Sequence, residues 1–101
     1  MADILIEICC GSAEDAILAA KAGAPRVELC SDLFHGGLTP TVGSLLVAKR
    51  ETGMKIMTMV RPREGGFCYT DAEFAVATED AKQLLANGSD GLVFGFLHAD
   101  G

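Results

Sequence analysis

Four short runs rich in apolar residues, Ile4–Ile8, Arg26–Leu29, Ile56–Val60 and Gly91–Phe96, alternate with three stretches of helical periodicity. The order β-α-β-α-β-α-β constrains the fold more than any other feature of the chain. Strands joined through helices run parallel and are covered on both faces, so their apolar residues need not alternate with polar ones. Helix starts and stops agree with this order. Ser12, with Asp15 three residues on, is a weak variant of the capping box, and Gly23 ends the first helix. Thr39-Pro40 opens the second helix with a cap and a first-turn proline, and Gly53 stops it. Thr70-Asp71-Ala72-Glu73 is a full capping box, and Phe74, Ala77, Ala81, Leu84 and Leu85 recur behind it at helical spacing until Gly88.

Repeated βα units build either a TIM-type (β/α)8 barrel or an open doubly wound sheet. No G-x-G-x-x-G follows the first run, which weighs against the dinucleotide-binding version of the open sheet. A weak internal echo suits repeated units: Ala22-Gly23-Ala24 stands before Val27 much as Asn87-Gly88-Ser89 stands before Val93. The expected class is therefore α/β, a TIM-type barrel. A closed barrel takes about 250 residues. Residues 1–101 are accordingly expected to supply about the first four βα units, the N-terminal half of a single barrel domain. On its own, such a half is expected to self-associate through its exposed apolar sheet edge.

The formal net charge of −6, with eight lysines and arginines, argues against nucleic-acid or membrane-surface binding, either of which needs a basic patch. No stretch approaches the roughly 20 apolar residues that span a bilayer. The start, MADILIEICC, carries Asp3 and Glu7 where a signal peptide carries positive charge. A cytoplasmic location is the expectation. Cys9, Cys10, Cys30 and Cys68 are then free thiols, and without C-x-x-C spacing they do not form a zinc ribbon.

In α/β folds the reactive groups gather at the carboxyl ends of the strands. That rule selects Glu7-Ile8-Cys9-Cys10, Glu28-Leu29-Cys30-Ser31, Arg61-Pro62-Arg63 and Phe96-Leu97-His98. The first two share the form E-[IL]-C. Alternation along a strand puts Glu7 and Cys9 on one face, and likewise Glu28 and Cys30. In comparable register the two sulfurs face each other across an inter-strand gap of about 4.8 Å. Such a pair suits a soft ion such as Cu(I), or a disulfide, or plain packing as small hydrophobes. Cys10 points the other way, into the core. Carboxylates at Glu7 and Glu28 need partners, and Arg61 is the expected counter-charge, either in a buried ion-pair network or in a catalytic acid/base set. Gly36-Gly37 and Gly65-Gly66 serve tight turns or admit an anion, which Arg61 and Arg63 would hold. His35 and His98 are loop histidines, better suited to solvation or hydrogen bonding than to metal ligation.

These segments resemble the CutC family. The resemblance runs along essentially the whole chain through E-I-C-C, G-A-P-R-V-E-L-C, G-G-L-T-P-T, R-P-R-x-G-x-F-x-Y-[ST]-D and D-G-L-V-F-G-F-L-x-x-D-G. It implies a single-domain TIM-type barrel, a homo-oligomer, and cytoplasmic copper homeostasis through Cu(I) binding, with Cys9 and Cys30 at the copper positions. The chain departs from the family pattern at Glu64, where a glycine is usual, at Gly66, where an acid is usual, and at His35, which replaces an acid. Two functional expectations follow. One is Cu(I) handling by the Cys9 and Cys30 thiolates. The other is an enzyme acting on a small anionic, phosphorylated or carboxylated, metabolite, with Glu7 or Glu28 as acid/base and Arg61 and Arg63 binding the anion.

Overall fold

Four strands, β1 (Glu7–Cys10), β2 (Arg26–Leu29), β3 (Lys55–Met59) and β4 (Gly91–Val93), lie parallel in the order β1-β2-β3-β4. The computed structural model describes residues 3–101. Helices α1 (Ala13–Lys21), α2 (Val42–Thr52) and α3 (Asp71–Ala86) make the three crossovers, and a 3-10 turn, Leu33–His35, lies in the loop after β2. Every strand sits beside its predecessor. A doubly wound sheet reverses its strand order at a switch point, and no reversal occurs among the described strands. This is the arrangement of the first βα units of a TIM-type barrel.

The three helices pack side by side on one face of the sheet. Val27, Leu29, Ile56 and Thr58 point into that layer and are fully buried, against Ala16, Leu45, Ala48, Ala77 and Leu84 from the helices. Alternation sends Arg26, Glu28, Lys55, Met57 and Met59 to the opposite face, which is the inner face of the curved sheet. Two polar residues enter the helix-side core, and they satisfy each other: the Thr58 and Ser89 hydroxyls lie 2.8 Å apart. Asp90 fixes the start of β3, accepting from the Ile56 N–H at 2.8 Å and from Lys49 Nζ at 2.7 Å.

Two helix caps match their sequence signals. Ser12 accepts from the Asp15 N–H, and Thr70 and Glu73 form both bonds of the capping box. The second helix starts later than expected. Its cap is Thr41, which accepts from the Ser44 N–H at 3.0 Å. Thr39 is committed elsewhere, since its hydroxyl donates to the Arg61 carbonyl and accepts from the Arg61 N–H. Strand limits also shift. Residues 4–6 lie outside the ladder because their partners on the β2 side would be Gly23, Ala24 and Pro25; Gly23 closes α1 at φ 95° and Pro25 has no N–H to donate. β4 ends at Val93 rather than Phe96, because the chain beside it leaves the ladder at Arg61-Pro62. Phe94 and Phe96 pack instead in an aromatic group with Tyr69 and Phe74.

Candidate metal centre

Register sets the geometry of the inner face. Cys9 on β1 pairs with Glu28 on β2, and Cys30 follows directly after β2, donating its N–H to the Cys10 carbonyl at 2.8 Å. The carboxylate of Glu28 therefore lies between two thiols. Its Oε1 is 3.4 Å from Cys30 Sγ and 3.9 Å from Cys9 Sγ, and the three ligand atoms all lie within 4.8 Å of one another. A thiolate–zinc bond is about 2.3 Å, so two ligand atoms on one ion of that size sit at most about 4.6 Å apart. The cluster needs only a slight contraction to hold an ion. Its two sulfurs make the donor set a soft one, which fits Cu(I).

The two thiols differ in access. Cys9 is exposed, whereas Cys30 is 1 % exposed. The roof over Cys30 is the loop after β2, pinned at its base by paired backbone bonds between Ser31 and Leu38. Gly37 takes a left-handed backbone conformation at φ 94°, which a side chain would strain, and so lets the loop settle on the thiol. Burial first, then the hydrogen bond to Glu28, raises the Cys30 pKa far above the usual thiol range. Cys10 faces the helix-side core and is fully buried, and burial followed by the charge of Asp15 pushes its pKa up to about 11.

The other expected site residues are placed apart. Glu7 is the first residue of β1, at the amino end of the sheet rather than the carboxyl end, and it pairs with Arg26 Nε at 2.6 Å. The two E-[IL]-C motifs are staggered by two residues, since Glu7 is level with Arg26 and Cys9 is level with Glu28. Arg61 reaches neither Glu7 nor Glu28. Its guanidinium donates to the carbonyls of His35, Gly37 and Gly65 and lies over the Phe67 ring, tying the loops after β2 and β3 together. A Cβ at Gly36 would come within 2.8 Å of Arg61 Nη1, so Gly36 gives this guanidinium its space. Arg63 forms a two-pronged pair with Glu73, donates to the Gly66 and Cys68 carbonyls and stacks on Tyr69. The expected Glu7–Glu28–Arg61 network is thus not assembled, and Arg63 is engaged by Glu73 of α3. His98 stands exposed near Phe67 and Phe96.

One further cluster is half local, with Asp32 and His35 three residues apart, and half non-local. His35 Nδ1 lies 2.7 Å from an Asp32 carboxylate oxygen, and its Nε2 lies 3.4 Å from Glu64. His35 and Glu64 belong to different loops and face each other across them.

Sheet order and the thiol–carboxylate–thiol cluster define a TIM-type α/β protein with a soft-metal-type donor set on its inner face. The model of the CutC family matches residues 4–101, and the chain belongs to that family. A CutC family protein from Treponema denticola is 58% identical over 101 residues, covering 100% of this chain and 41% of its own. The human copper homeostasis protein cutC homolog is 45% identical over 97 residues, covering 96% of this chain and 36% of its own. Among solved structures, a CutC from Streptococcus agalactiae superposes with a TM-score of 0.88 at 38% identity, over 97% of this chain and 48% of that one. The chain therefore spans about two fifths of the length of these curated relatives.

Proposed function

We propose that the protein serves copper homeostasis by binding Cu(I) through the thiolates of Cys9 and Cys30, with Glu28 between them. The observation that carries this reading is the convergence of both thiols on Glu28 Oε1, at 3.9 and 3.4 Å. Thiols must lose their protons to ligate a metal. Glu28 is the adjacent acceptor, and a cation between the three groups offsets the burial and the carboxylate contact that hold Cys30 protonated. The names of the relatives, copper homeostasis proteins among them, agree with this role. All four cysteines are free thiols, which suits a reducing cytoplasm. We place these 101 residues as the N-terminal half of one barrel domain, within a homo-oligomer.

The test is competition for Cu(I) against a chromophoric chelator, using the full-length protein. Cys9→Ser/Cys30→Ser is expected to lower Cu(I) affinity at least about 100-fold, beyond the loss usual for a residue that only supports a ligand. A double variant that competes as well as wild type overturns the thiolate reading. An acid/base enzyme has less support, because Glu7, Glu28 and Arg61 do not meet.

A further inference from the structure

The inner face carries more sulfur than the two cysteines. Alternation along β3 puts the side chains of Met57 and Met59 on the same face as Glu28. The register pairs Glu28 with Met57 and Leu29 with Thr58, and extending it one residue past β2 aligns Met59 with Cys30, on neighbouring segments whose usual spacing is about 4.8 Å. The two methionines are not equivalent. The Met57 thioether lies over Gly91 on β4, where a Cβ would come within 3.0 Å of its Sδ, so it leans away from β2. Met59 is half-buried and lines a cavity of about 270 Å³ with Gly36, Arg61, Phe67 and Val93, beneath the same loop that roofs Cys30.

Charge also favours a thioether here. Two thiolates and the Glu28 carboxylate already place three negative charges in one small cluster, and a further anionic ligand would add repulsion. A thioether is neutral and soft, the character that Cu(I) selects, whereas a carboxylate oxygen is hard. We infer that Met59 supplies the third ligand of a Cys9–Cys30–Met59 sulfur site for a soft monovalent cation, with Glu28 acting beside the ion rather than on it. This inference rests on the thiolate reading above.

The test uses the full-length protein loaded with Cu(I), read by chelator competition and by the sulfur count from X-ray absorption. Methionine-to-leucine exchanges nearly conserve volume and are tolerated in packed sites. Met59→Leu is expected to lower Cu(I) affinity at least about tenfold and to reduce the sulfur count from three to two. Met57→Leu is expected to change neither, and thermal melts of both variants report that the fold is kept. Unchanged affinity and sulfur count in Met59→Leu, or the loss appearing in Met57→Leu instead, overturns the assignment while leaving the cysteines as ligands. A Cys9→Ser/Cys30→Ser protein that binds as tightly as wild type overturns both readings together.

Discussion

His35 is held between carboxylates from two loops. Asp32 belongs to its own loop, and Glu64 belongs to the loop after β3. The Arg61 guanidinium donates to the His35 backbone carbonyl. The hydrogen bond to Asp32 does most to raise the imidazole pKa, desolvation opposes it, and the charges of Asp32 and Glu64 add smaller amounts to the rise. A folded-state pKa above the unfolded value of about 6.5 means that the stabilisation is complete below that value. It is lost as pH rises through the folded pKa, and the tie between the loops weakens in that window. NMR titration of the full-length protein is expected to show His35 titrating above 6.5, a reference value. Asp32→Asn should lower the midpoint more than Glu64→Gln does. A midpoint at or below the reference value would sink the interpretation. Little of this was legible in the sequence, because Asp32 and Glu64 come together through loop geometry, not through spacing.

At the scale of elements, α3 shows how much a local signal can say. Its capping box was readable because both bonds join residues three apart, and Glu73 then serves twice. The Thr70 N–H, followed by Arg63, holds its carboxyl below the usual range. Thr70→Ala is expected to cost about 1 kcal/mol, measured as a lower urea midpoint with unchanged slope. No shift in midpoint would mean that the cap adds nothing in context. The start of α2 could not be read in the same way. Thr39 and Thr41 are both competent caps, and the choice falls to Thr41 because Thr39 is bonded to Arg61, 22 residues away. Register is likewise non-local. The sequence placed Cys9 and Cys30 on one face, but the stagger that inserts Glu28 between them comes from strand pairing.

For the molecule as a whole, the helix-side layer holds the buried core and the inner face holds the thiol–carboxylate–thiol cluster. Leu29 is fully buried in that layer, one residue before Cys30. Leu29→Ala is expected to destabilise the full-length protein by about 2–5 kcal/mol, read from denaturant unfolding. A cost below about 1 kcal/mol would mean that the layer repacks readily. The fold class was legible because alternation of strand and helix is written along the chain, whereas the position of Glu7 at the amino end was not, since it depends on where β2 begins. The consecutive strand order also bears on how the protein is made. Each βα unit after the first finds its docking surface on the unit synthesised just before it, so β2, β3 and β4 each meet a pairing partner already made. Parallel sheets otherwise fold slowly and leave edges exposed to aggregation. Here, growth from the amino terminus adds one strand at a time, so the outer edge of β1 stays open while the other open edge advances with the ribosome.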